Sequence, residues 1–255
     1  MLYIYETHLH TSEASGCGRV PGRDYIAYMK QLGYSGIIVT DHFFNGNTCI
    51  PKDLPWETRI QRYCLGYQHA KEEAFSADPD FSVFFGLEVN FEGDEYLLYG
   101  VDEDWLSARP DLLSYDRHAL YDAVHAAGGL MIQAHPYRER NYLSKIHLSP
   151  FTCDGVEVYN AANQSYMNAL ACAHAQKYQL LTSAGSDIHF FGEERMGGVA
   201  FTHPIHTIQE FIHCFLAGEA IPVARIEDGS FVPVTQLTEE CITETKPYLE
   251  VVLHP

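Results

Sequence analysis

From Tyr3 to Arg225 the chain alternates short apolar, β-branched and aromatic runs with longer stretches of helical spacing. No other feature restricts the fold as much, because strand–helix alternation with short connections belongs to α/β domains built on a parallel sheet or barrel. Residues 2–6, 37–40, 81–92, 130–136, 155–160, 180–189, 197–204 and 220–225 read as strands. Helices are expected over 24–32, 57–75, 115–127, 164–178 and 208–216, with Gly33, Asp78–Pro79 and Gly128–Gly129 as stops. Gly93–Asp94 is expected to turn FSVFFGLEVNFE back into YLLYGVD as a hairpin, and LEVVLHP to add an edge strand. No Pro/Gly/Ser-rich linker, low-complexity run or repeat divides the chain, so residues 1–255 read as one domain. The least regular early stretch, residues 43–56, reads as a loop over a site.

Sixteen Lys and Arg against thirty-four Asp and Glu leave a net charge of −18. A long nucleic-acid partner needs a basic face, so none is expected, whereas a small phosphorylated substrate needs only one or two placed cations. Seven cysteines without a CxxC pair are read as reduced thiols. The N-terminus lacks the basic patch and apolar core of a signal peptide, and no apolar run nears the roughly 18 residues of a membrane span. A cytoplasmic protein without a membrane partner is expected; its oligomeric state is not legible.

Fourteen histidines are the compositional oddity, and several stand at equivalent places. His8 and His10 leave the first strand, where residues i and i+2 share a face. His42 follows the second strand, Glu88 lies near the exit of the third, and His135, then Asp187 with His189, follow later ones. In a barrel of parallel strands all C-terminal ends meet on one rim. An HxH pair alone is a weak signal. Seven ligand-capable side chains spread over about 180 residues yet converging on one rim are not a packing accident, and they point to metal.

The motifs HLHTSE, TDH, GLE, AHP and GSDIH, in that order, resemble the polymerase and histidinol phosphatase (PHP) family of metal-dependent phosphoesterases, and the resemblance covers most of the chain. It implies a distorted (β/α)7 barrel with two or three divalent ions at the C-terminal rim. By motif, His8, His10, Glu88 and Asp187 would hold one ion, Glu88 would bridge to a second held also by His135, and His42 with His189 would hold a third. The chain departs from the family pattern twice. Ser15 stands where an Asp or His is expected, leaving Glu13 as the nearest substitute. DEYLLYG carries Tyr96 and no histidine, so the second ion is short of a ligand.

Imidazole and carboxylate ligands suit Zn, Mn or Fe. Such ions could activate a water and clamp phosphoryl oxygens, which agrees with the lack of a serine elbow or cysteine phosphatase loop. His42 and Asp187 are the candidates for protonating the leaving group. Arg138, Arg195 and Arg19, with Arg23 nearby, are candidate phosphate ligands on rim loops. Glu157 and Asn160 are expected either to support the site or to cap a strand, and Asp41 to orient His42 or cap a loop. Phe43, Phe44, Trp56, Phe190 and Phe191 could wall a leaving group or simply pack locally. His69, His118, His125, His147, His174, His203, His206, His213 and His254 are expected to be unremarkable. The favoured reading is a small-molecule phosphoesterase. An amidohydrolase-like amide or lactone hydrolase is the second reading, weakened by the lack of a lysine at a strand exit. A non-catalytic metal-binding regulatory domain is the third.

Overall fold

The computed structural model of the protein describes residues 2–192, 195–237 and 246–254, so Cys241 and the two glutamates of GEERMGG lie outside the described residues. The strands are β1 (Tyr3–Leu9), β2 (Gly36–Val39), β3 (Ser82–Phe91), β4 (Asp94–Tyr99), β5 (Leu130–Gln133) and β6 (Lys145–Leu148). They continue as β7 (Gly155–Asn160), β8 (Leu181–Gly185), β9 (Met196–Phe201), β10 (Ile221–Arg225), β11 (Phe231–Pro233) and β12 (Glu250–Leu253). Ten of these form one curled sheet in the order β11-β10-β9-β1-β2-β3-β4-β5-β7-β8, and β12 pairs apart with β6.

The sheet is not uniformly parallel. β1, β2 and β3 run parallel, as do β5, β7 and β8, but β4 joins the two blocks antiparallel to both. The reason is local: Glu92 and Gly93, both with positive φ (57° and 101°), form a tight turn that leaves no room for a crossover helix. On the other flank β9, β10 and β11 continue antiparallel. The hairpin and the edge strand expected from sequence are therefore present, while a regular sevenfold β/α repeat is not the pairing observed.

The helices are α1 (Tyr25–Gln31), α2 (Trp56–Tyr63), α3 (Leu65–Ala77), α4 (Glu103–Ser107), α5 (Arg117–Ala126), α6 (Ser165–Tyr178) and α7 (Ile208–Leu216). The single helix expected over 57–75 breaks at Cys64 into α2 and α3. The break lets α3 lay Gly66 against the loop after β1: a Cβ at Gly66 would stand 2.1 Å from Thr11 Oγ1. Larger side chains there would push α3 off the HLHT segment.

The sheet curls until its far strand meets β1. Thr7 Oγ1 donates to the Ala184 carbonyl (2.7 Å), and His10 N–H donates to Ile188 O (3.0 Å). Inside, Tyr99 from β4 reaches across to donate its hydroxyl to Thr7 O (2.9 Å). Tyr5, Leu97, Ile132, Val199 and Phe201 fill the same interior. Each such apolar side chain contributes about 1.5–3 kcal/mol by burial. This closure brings the C-terminal ends of β1, β2, β5, β7 and β8 to one rim.

Candidate metal centre

β1 delivers His8 and His10 to the rim with ring centroids 5.1 Å apart, as an i, i+2 pair on an extended strand should be. His8 Nε2 lies 3.0 Å from Glu88 Oε1 and 3.5 Å from Asp187 Oδ1. His10 Nε2 lies 3.0 Å from Asp187 Oδ1 and 3.6 Å from Glu88 Oε2. Glu88, on β3, is the hub: its Oε2 is 2.6 Å from His42 Nδ1 and its Oε1 3.1 Å from His135 Nε2. His189 stacks on His10 with centroids 4.4 Å apart, its Nδ1 3.7 Å from Asp187 Oδ1. Seven of the eight proposed ligands thus come together, and ligand atoms of His10, His42 and His189, of His8, His10 and Glu88, and of His8, His135 and Asp187 fall within 4.8 Å of one another.

Glu13 is the exception. Its carboxylate accepts from Gly22 N–H (3.1 Å) and faces His69 Nδ1 (3.0 Å), tying the loop to α3 instead of joining the cluster. Two residues unforeseen in the sequence stand nearer. Glu95, the second residue of β4, lies 3.6 Å from His42 Nδ1 and 3.4 Å from His135 Nε2. Hairpin register pairs Glu95 with Asn90, on the same face as Glu88, so matching positions across the Glu92–Gly93 turn could have found it. The Cys17 thiol reaches His42 and His189. Burial pushes it up, but hydrogen bonds with those two rings outweigh burial and bring it down to about 6. No sequence pattern marked Cys17.

Supporting groups fix the ring orientations. Glu157 Oε1 takes His8 Nδ1 (3.1 Å) and its Oε2 accepts His135 N–H (2.9 Å), so Nε2 of His8 is left to face the centre. Ser15 Oγ contacts His10 Nδ1 (3.1 Å), accepts His42 N–H (3.0 Å) and donates to Asp41 Oδ1 (2.6 Å). Asp41 also accepts Thr11 N–H and Thr11 Oγ1–H, each at 2.6 Å. It pins the HLHT loop and orients His42 only through Ser15. Two cluster residues, His135 (φ 27°) and Asp187 (φ 57°), sit in the left-handed region. A non-glycine residue held there costs about 1–3 kcal/mol and persists where surroundings impose it, commonly at working sites.

The electrostatics favour a cation. Burial alone would raise Glu88, but His42, His8 and His135 outweigh it and hold the carboxyl well below its usual range. Burial is likewise outweighed at Asp187 by His8, Arg138 and His10. His10 goes the other way, to about 3, through burial and the facing His42, so its imidazole is neutral. Four buried atoms, His8 Nε2, His10 Nε2, His42 Nδ1 and Glu88 Oε2, crowd one inward-facing space at 2.6–3.6 Å from imidazole or carboxylate neighbours without making an aligned hydrogen bond. Orphaned buried polar atoms are costly, and lone pairs of two element types converging on one space fit divalent-ion ligation.

Arg138 lies beside the centre: its Nη1 donates to Asp187 Oδ2 (2.5 Å), Nη2 to Asn160 Oδ1 (2.6 Å) and Nε to Asn163 Oδ1 (2.7 Å). Arg195 is turned to Asn163 O (2.7 Å) and the Tyr159 ring. The Arg19 side chain is exposed, and its amide holds His189 O (2.8 Å). A cavity of about 260 Å³ opens over His42, Glu95, Asp187 and His189, walled by Asn47, Arg138, Arg140 and Tyr142. Phe43 and Phe44 do not wall it; they are buried and pack on each other, Trp56 and Tyr63.

No family model matches the sequence, and no curated protein does. Solved structures do. A two-domain Bacteroides vulgatus protein containing a predicted PHP-like metal-dependent phosphoesterase superposes with TM-score 0.62 at 16% identity, over 88% of this chain and 64% of its own length. The fold is shared. A candidate metal-dependent phosphoesterase from Bifidobacterium adolescentis matches with TM-score 0.54 at 17% identity, over 83% of this chain and 96% of that one. An amidohydrolase from Chromobacterium violaceum, with bound sulfate and no metal, gives 0.53 at 14%, with the same two coverages. The chain spans under two thirds of the Bacteroides protein. Among the described residues no helix is long and apolar enough to cross a membrane.

Proposed function

We propose that the protein is a metal-dependent phosphoesterase acting on a small phosphomonoester or phosphodiester. The observation that carries this reading is the convergence of five imidazoles with Glu88, Glu95 and Asp187 around orphaned, inward-facing ligand atoms at the floor of a cavity that also presents guanidinium groups. His8, His10, Glu88 and Asp187 would hold one divalent ion, Glu88, Glu95 and His135 a second, and His42 and His189 a third. Ions so held supply Lewis acidity toward a phosphoryl oxygen and a water of lowered pKa. The likeness to PHP-like phosphoesterase structures supports the same reading.

The chain's own groups do the rest. Arg138 spends three donors on Asp187, Asn160 and Asn163, and a guanidinium has five. Arg138 lines the cavity, so its remaining two are available to phosphate oxygens there, with Arg140 as a second lining cation. His42 lines the same cavity, and when no third ion is bound its ring, which against burial Glu88 holds in the protonated form, can hand a proton to a departing alkoxide; Asp187 is ionised and has none to give. A 260 Å³ cavity is below the usual range for drug-sized ligands, which favours a compact ester.

The test is metal analysis of purified protein beside hydrolysis of p-nitrophenyl phosphate and its bis ester, with wild type and His8→Ala. Two or more ions per chain, with turnover lost in the variant, are expected. Metal with turnover only of amides or lactones would replace phosphoester hydrolysis by the amidohydrolase reading. Wild-type protein that binds no divalent ion would overturn both.

A further inference from the structure

His147 and His254, unremarkable in the sequence, meet outside the rim. β12 runs parallel to β6 with Val252 opposite His147, and His254 N–H continues the ladder to Leu148 O (2.8 Å). Residues 252 and 254 share a face, so the two imidazoles lie together: His147 Nδ1 is 2.7 Å from His254 Nε2, with ring planes 25° apart. The third group comes from the β3–β4 turn. A carboxylate oxygen of Glu92 and a ring nitrogen of each histidine fall within 4.8 Å of one another.

We propose that Glu92, His147 and His254 form a second, structural zinc site that clamps β12 and the β3–β4 turn to β6. Two imidazoles and one carboxylate hold zinc in enzymes with water in the fourth place, so the set suffices to bind the ion although closed structural sites carry four protein ligands. Nitrogens sharing one zinc at about 2.0–2.1 Å stand about 3.3 Å apart, so the ion would replace the 2.7 Å hydrogen bond between the rings and open the pair by about 0.6 Å, with the half-buried ring of His254 turning outward. Arg117 contacts Oε2 of Glu92 at 3.4 Å, a distance that leaves the carboxylate able to accept an ion as well.

The site also accounts for a strand that burial does not explain. β12 is four residues long, and its Glu250, Val251 and Leu253 are exposed. Its flanking ion pair, Lys145–Glu250 at 3.1 Å, joins two largely solvated groups and holds little. A bridging ion would tie this edge to the barrel, and through Glu92 would steady Gly93, which lines the cavity.

The experiment counts zinc per chain after loading and dialysis, in wild type, His254→Ala, His147→Ala and Glu92→Gln, with far-ultraviolet circular dichroism as the folding control. Each variant should hold one zinc fewer than wild type. Zinc should slow proteolysis around residues 246–254 in wild type and not in His254→Ala. Hydrolysis is not needed for either readout, so failure of the phosphoesterase reading leaves the test intact. An unchanged count in any of the three folded variants, or protection by zinc that persists in His254→Ala, overturns the site.

Discussion

Gly185, at the end of β8, is the point at which closure of the sheet and assembly of the metal centre can be tested together. A Cβ placed there would stand 2.6 Å from His8 Cβ, 2.7 Å from Glu157 Oε1 and 3.2 Å from His8 N. Ordinary carbon contacts are about 3.5–4.0 Å, so alanine intrudes by about 1 Å on an atom fixed by a neighbouring strand and on a carboxylate fixed by three hydrogen bonds. Replacing glycine in an extended strand gains about 0.5–1 kcal/mol by restricting the unfolded chain. Overpacking a rigid site costs about 1–3 kcal/mol. The clash wins, and Gly185→Ala should lose about 1–2 kcal/mol in urea denaturation of metal-free protein. The cheapest relief is displacement of Glu157 from His8 Nδ1, which unlocks the ring. Loss of such a supporting partner weakens metal binding about 10–100-fold, to be read by chelator competition. A variant more stable than wild type with undiminished metal affinity would refute the reasoning, because β8 would then not lie against β1.

Three further perturbations address single residues. Glu6 is fully buried, and burial raises its pKa from 4.5 to about 7 against hydrogen bonds from Ser186 and His8. The unfolded carboxyl ionises first as pH rises, so stability is lost between about pH 4.5 and 7 and the loss then stays near 3 kcal/mol. Glu6→Gln should therefore gain on wild type across that window, and an equal gap at pH 5 and pH 8 in metal-free protein would count against it. Glu95→Gln should retain the fold and bind one ion fewer per chain by metal analysis; unchanged stoichiometry would remove Glu95 from the centre. Arg138→Met strips Asp187, Asn160 and Asn163 of a buried partner, and breaking a buried pair costs about 3–5 kcal/mol. Asp187 keeps His8 and His10, which puts the expected loss at the lower end, and a loss below about 0.5 kcal/mol would make Arg138 a solvated charge.

The strand exits were legible because a strand's end is a local event. An apolar run stops, and the next polar residue stands at the rim whatever the other strands do. His8, His10, His42, His135, Asp187 and His189 were read this way, and the structure brings them together with Glu88. What was not legible depends on pairing. Glu95 joins the cluster only because the turn at Glu92–Gly93 folds β4 back along β3. Glu13 lies three residues beyond His10, but the loop turns it outward to Gly22 and His69. Arg195 and Arg138 both follow strand-exit motifs, and the difference lies in which neighbour each side chain meets. His147 and His254, expected to be unremarkable, are 107 residues apart and meet only because β12 pairs with β6.

The charge at the rim links these observations. Glu88, Glu95, Asp187 and Glu157 face Arg138 and a set of imidazoles in a region largely closed to water. With the imidazoles neutral, four carboxylates and one guanidinium leave three negative charges in excess, which a protein interior tolerates poorly. Protonating the rings relieves the excess, and the carboxylates around His8 do draw its pKa well above normal against the effect of burial. A protonated ring, however, cannot ligate. Protons and divalent ions therefore compete for the same lone pairs, and the centre has two ways of balancing its charge, of which only one is suited to hydrolysis. Metal affinity should consequently fall as pH drops, with the ion displaced as His8 and its neighbours take up protons. A metal-free sample should bind more protons at the rim than a loaded one, measurable as acid released on adding zinc to weakly buffered protein near pH 7. Zinc that binds at the rim without releasing protons would mean that the imidazoles are already neutral, and that the excess negative charge is balanced by something other than the histidines.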